Sequence, residues 1–144
     1  MKSRKITNML FLTVLAFLLN TFVYFAFGNI YSSAILNYST FQEQFSGGIY
    51  QYRILSVHVL LCIYDLLGTL NLDYSVFKLK FLNPDSEPRM FLAFYMLNSF
   101  FLALSAVMMV LITESKQFAA TASEKLLMAT LSIFVIALSQ FVIV

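Results

Sequence analysis

The chain has 144 residues, of which 60% are hydrophobic and only 11% charged, and its formal net charge is +2. Its mean hydropathy is +0.83, whereas a soluble domain carries charge on about a quarter of its residues. An ordinary soluble fold is therefore excluded, and an integral membrane protein is expected. The basic residues stand in twos and threes, too sparse for a nucleic-acid stripe. Cys62 is the sole cysteine, which excludes an internal disulfide, a CxxC pair and a thiolate zinc site. With His58 as the sole histidine, a haem held by two histidines of the chain is excluded too, and no cofactor is indicated.

The predicted architecture is all-α, a single domain (1–144) of four membrane-crossing helices and one interfacial helix. A basic head with Lys2, Arg4 and Lys5 precedes a mostly apolar run over 9–27, close to the roughly twenty residues that cross a bilayer as a helix. A secretory signal peptide competes for this segment, with Ala26-Phe27-Gly28 as a small-x-small site. The apolar run exceeds the roughly 7–15 residues of a signal core, which favours an uncleaved span. Over 29–46, Ile30, Ala34, Tyr38, Phe41 and Phe45 recur at helical spacing, with Ser33, Asn37, Thr40 and Gln44 on the other side. That pattern predicts an amphipathic helix in the membrane interface. Gly47-Gly48 is expected to end it with a left-handed cap, and Tyr50, Tyr52 and Arg53 to anchor the next helix at the headgroups.

The second span is expected at 54–70 and the third at 90–112. Between them, Phe77, Leu79 and Phe81 alternate with Lys78 and Lys80, as suits a segment resting on headgroups. Asn83-Pro84-Asp85 signals a turn, and Asp85 or Ser86 can cap the third helix with Pro88 in its first turn. Thr121-Ala122-Ser123-Glu124 fits a capping box for the fourth span at 126–144. Lys2, Arg4, Lys5, Lys78, Lys80 and Arg89 outnumber Arg53, Lys116 and Lys125. The positive-inside rule then places both termini and the second connection in the cytoplasm and the first connection, with Glu43, outside. Asn37-Tyr38-Ser39 on that outer side matches the glycosylation pattern.

Only the second span takes ionisable groups into the apolar region. Gln51, His58 and Asp65 are seven residues apart, and Cys62 and Thr69 share their stripe. A charge at mid-bilayer costs about 3 kcal/mol, so this face is expected to turn toward protein. The third span offers Tyr95, Asn98 and Ser105 on one face, with Asn20 or Gln140 as further partners. His58 and Asp65 read either as part of a proton or substrate path, or as packing and interfacial groups. No spacing suggests a metal site. Glu43 and Arg53 form a second pair: a general base with a phosphate-binding cation, or a solvated carboxylate with an arginine snorkelling at a helix end.

A basic head, one span, an amphipathic helix bearing Glu43, and then Tyr-Gln-Tyr-Arg-Ile-Leu entering the second span follow in that order. The stretch over 1–70 resembles the N-terminal part of multi-pass bacterial membrane proteins of the GT-C glycosyltransferase and surface-polysaccharide assembly type. The resemblance implies a bacterial inner-membrane location and a polyprenyl-phosphate-linked sugar donor. It also implies Glu43 as catalytic base and Arg53, with Gln51 and Tyr52, at the substrate. The alternative is a small non-catalytic four-helix subunit that meets lipid and other membrane subunits, or a simple proton-coupled transporter.

Overall fold

The computed structural model describes residues 2–31, 37–47, 54–70, 72–74, 87–115 and 120–142. Among them all regular structure is α-helical: α1 (Lys2–Tyr31), α2 (Tyr38–Ser46), α3 (Ile54–Thr69), α4 (Pro88–Thr113) and α5 (Ala122–Val142). The expectations for Gly48, Tyr50, Gln51, Tyr52, Arg53, the alternation over 77–81, the turn over 83–85, Ser86 and the Gln140 side chain lie outside the described residues.

Among the described residues two helices, not four, are long and apolar enough to cross a membrane, Arg4–Ala26 within α1 and Pro88–Thr113. The 16 residues of α3 reach only about 24 Å at 1.5 Å per residue, against a hydrocarbon thickness of about 30 Å. The first turn of α5 contains Ser123, Glu124 and Lys125, which leaves 126–142 as its apolar part.

The interfacial helix expected over 29–46 is divided. Residues 29–31 close α1, and a new helix opens behind Asn37. Asn37 has extended backbone (φ −111°, ψ 133°). Its side chain accepts the Ser39 N–H at 3.0 Å, and its carbonyl accepts the Phe41 N–H at 2.9 Å. The periodicity placed Asn37 mid-helix, but a short amide that bonds its own backbone suits an N-cap better. At the other end Gly47 is right-handed (φ −70°, ψ −1°) and donates to the Glu43 carbonyl at 2.8 Å, so the left-handed cap is not at this glycine. The start of α4 also differs: the Phe91 N–H bonds the Glu87 carbonyl at 3.0 Å, which makes Glu87 the cap and Pro88 the first helical residue.

The capping box of α5 is present. The Thr121 N–H and hydroxyl both donate to the Glu124 carboxylate at 2.7 Å, and the Glu124 N–H donates to the Thr121 hydroxyl at 3.4 Å. These bonds hold the Glu124 carboxyl below its ordinary range.

The helices fall into two compact units, one made of residues 1–23 and 98–144 and the other of 24–97. In the first, Leu12 and Ala16 of α1 meet Leu102, Ala106 and Val110 of α4 and Ala129, Ile133 and Ala137 of α5. Four of these eight are alanines, which let helix backbones approach closely. Asn20, fully buried, donates to the Ser99 hydroxyl at 2.7 Å and joins α1 to α4. The outward residues of the same helices are large and apolar: Phe11, Leu18 and Phe22 on α1, Leu104 and Met108 on α4, Leu131 and Val135 on α5.

In the second unit, Phe41 of α2, Val57, Leu60 and Leu67 of α3, and Met90, Ala93 and Leu97 of α4 form one core. Beside it the end of α1 meets the start of α4, with Tyr24 edge-on to Phe91 and Tyr95 at 5.6 and 5.7 Å. Tyr38, which opens α2, bonds Glu87, while Tyr64 near the end of α3 bonds both Glu87 and Arg89. Thus α2 leads away from the point where α1 ends, and α3 returns to it as the second arm of a hairpin. Tyr38 of the first connection and Glu87 of the second therefore lie together.

Candidate functional site

The densest set of polar contacts in the second unit surrounds Glu87. Pro88 fixes the backbone at the first helical position of α4 and leaves Glu87 as its cap. The Glu87 carboxylate accepts the Tyr38 N–H at 3.1 Å through Oε2 and the Tyr64 hydroxyl through Oε1. The Tyr64 ring stacks on that of Tyr38, with centroids 4.9 Å apart and planes inclined by 13°. On α4, one turn of side chain away, the Arg89 Nε donates to the Tyr64 carbonyl at 2.8 Å, and the guanidinium lies 3.7 Å from the centre of the Tyr64 ring. Asp65 approaches the same guanidinium at 4.0 Å. Gly68 leaves room for it, because a Cβ at that position would run into the guanidinium.

The chemistry of this set is that of a fastening. Glu87 already accepts from two donors belonging to two different elements, and Arg89 is held by a carbonyl, a ring face and a carboxylate. Charged hydrogen bonds of this kind are stronger than neutral ones, and they join α2, α3 and α4 at one point. Sequence reading used Arg89 only as a topological charge and passed over Glu87, Tyr38 and Tyr64 as a group. Two signals were present: Pro88 marks its predecessor as a cap, and Tyr64 shares the α3 face of Val57, Leu60 and Leu67.

The residues expected to carry chemistry are placed elsewhere. Glu43 is exposed on α2, and among the described residues nothing bonds its carboxylate. Gln51, Tyr52 and Arg53 are outside the description, so no substrate contact with Glu43 is visible. On α3, His58, Cys62, Asp65 and Thr69 are exposed, and the Thr69 hydroxyl bonds its own Leu66 carbonyl. Residues 57, 60, 64 and 67 face inward, and at 100° per residue 58, 62, 65 and 69 fall on the opposite side. Tyr95 packs on Tyr24 and Phe25. Asn98 and Ser105 belong to the other unit, where the Ser105 hydroxyl bonds the Phe101 carbonyl at 2.9 Å. Asn20 is taken by Ser99.

Comparison of the sequence with protein-family models, with characterised proteins and with solved structures gives no match.

Proposed function

We propose that the chain is an integral membrane protein with a structural role, a small helical subunit of the membrane. In this reading α1 and α4 cross the bilayer, α5 packs on them within the first unit, and α2 and α3 form a hairpin in the second. The observation that carries it is the large apolar surface of the first unit. Four alanines, Leu12, Leu102, Val110, Ile133 and a hydrogen-bonded Asn–Ser pair are inside, and Phe, Leu, Met and Val side chains also cover the outside of all three helices. In water such a surface is a large exposed apolar patch; in lipid it is the solvated face. The hydroxyls on these helices fit the same solvent. Thr21, Ser105 and Ser132 each donate to the carbonyl four residues back in their own helix, as hydrocarbon requires of a polar group.

The structural role follows from how the polar side chains are used. Glu87, Tyr64, Tyr38 and Arg89 bind one another, and Asn20 binds Ser99. After expression the chain is expected to stay in the membrane pellet through alkaline carbonate washing and to leave it only with detergent. Release into the carbonate supernatant would overturn the membrane reading.

A second reading is favoured by Glu43 alone, an exposed carboxylate with no bond among the described residues. It could serve as the general base for transfer of sugar from a polyprenyl-phosphate donor in the bacterial inner membrane. Glu43→Gln then abolishes transfer in membranes supplied with that donor, without altering insertion. Transfer at the wild-type rate in this variant removes the catalytic reading.

A further inference from the structure

We propose that α3 lies along the membrane boundary, with its Leu55–Leu66 edge in the acyl chains of the lipid and its His58–Asp65 edge among the headgroups. The surface rests on the membrane reading of the chain and adds to it the lipid contact of the second unit. Around its axis α3 has three sectors. Val57, Leu60, Tyr64 and Leu67 form the sector that packs in the second unit. On the outward side, at about 100° per residue, Leu66 lies about 20° from Leu55, while Cys62, Thr69, His58 and Asp65 run from about 20° to about 80° in the other direction. Leu55 and Leu66 are 75% and 56% exposed, and Leu70, directly after the helix, extends their edge at 52%. The four polar residues are exposed as well.

No single solvent suits both edges. An imidazole and a carboxylate are costly in hydrocarbon, and a row of exposed leucines is costly in water. A helix lying in the boundary gives each edge its own solvent. Its neighbours set α3 at that level. Tyr64 bonds Glu87, the residue ahead of the apolar helix Pro88–Thr113, and its carbonyl accepts from Arg89; tyrosine and arginine at the mouth of a span are headgroup anchors. The 26 residues of α4 extend about 39 Å, about 9 Å more than the hydrocarbon thickness of about 30 Å. Its first turns, on which Val57, Leu60 and Leu67 pack, can therefore stand at the boundary. The Asp65 side chain stays 78% exposed although Arg89 approaches it at 4.0 Å, as suits a charge pair at headgroup level. On α2 the outward residues Ser39, Gln42, Glu43 and Ser46 are all polar and exposed, the face of a helix in water.

The test places nitroxide labels at single cysteines of the full C62S chain in liposomes. Collisions are then measured with oxygen, which concentrates in lipid, and with a nickel chelate, which stays in water. L55C and L66C should be dominated by oxygen, at a depth of about 5–10 Å below the headgroups. H58C and T69C should be dominated by nickel, at the headgroups or above. All four positions point away from the core formed by Val57, Leu60 and Leu67. Cys62 lies at the border of the two edges, so a label on the unsubstituted chain should give an intermediate ratio and checks the gradient without any substitution. L18C, on the outward side of α1 where Leu18 is 63% exposed, reports on the membrane reading itself. Nickel dominance at L18C overturns that reading and the placement of α3 with it. Oxygen at L18C with nickel at L55C and L66C overturns the placement of α3 alone. Oxygen dominance at all four α3 positions, or shielding of L55C and L66C from both reagents under another protein surface, overturns it equally.

Discussion

Glu87 stands one residue ahead of α4 and accepts from two other elements at once, so its removal tests the fastening most directly. Glu87→Ala strips the acceptor from the Tyr64 hydroxyl and the Tyr38 N–H together. Hydrogen bonds to a charged group contribute about 1.5–3 kcal/mol each when well formed. The site is half-buried and water replaces part of the loss, so a total near the lower end of about 1–3 kcal/mol is expected. Glu87→Gln keeps one carbonyl oxygen and can satisfy one donor, and Tyr64→Phe keeps the ring between Tyr38 and the Arg89 guanidinium. Each of these should cost about 1 kcal/mol. Thermal unfolding in detergent should rank the wild type highest, the two conservative variants next and Glu87→Ala lowest. If Glu87→Ala melts with the wild type, the carboxylate does not join these elements. The partners also show why this group was hard to read from the sequence: Glu87 is 49 residues from Tyr38 and 23 from Tyr64, and no local pattern records such a pair.

At the scale of elements, the sequence was legible wherever the cause of an element was local. The apolar run after Arg89 became α4, and Thr121 and Glu124 formed the box that their spacing announces. Helix class follows from the same cause, because long apolar runs in lipid must satisfy their backbone internally. The failures occurred where an element depends on a side-chain choice or on distant packing. The periodicity from Ile30 to Phe45 continues through Asn37 without a break, yet the Asn37 amide turns to the Ser39 N–H and starts a helix of its own. On α3 the polar stripe was visible in the sequence. Its direction was not, because that depends on whether Val57, Leu60 and Leu67 find a core, and they find one on Met90, Ala93 and Leu97.

For the whole molecule, the two connections are what distinguish the hairpin from a four-crossing chain. Counting basic residues by alternate loops presumes that each apolar run crosses the bilayer. That presumption separates the first connection from Arg89, whereas Tyr38 of that connection bonds Glu87, two residues before Arg89. The hydrogen bond from Tyr38 to Glu87 joins residues that the alternation holds a bilayer apart, about 30 Å of hydrocarbon. Single cysteines decide between the two in the C62S background, one at Ser39 beside the start of α2 and one at Leu72 just after α3. Both positions are exposed, and neither substitution removes a contact of Glu87. With an impermeant maleimide added to sealed vesicles, the hairpin predicts that S39C and L72C are labelled from the same face, or are both protected until the vesicles are opened. A chain in which α3 crosses the membrane labels one of them from outside and the other only after opening. The second outcome would return α3 to the spans and leave Glu87 unable to reach Tyr38 in the bilayer. The first would keep α3 as the second arm of a hairpin, as its 16 residues allow.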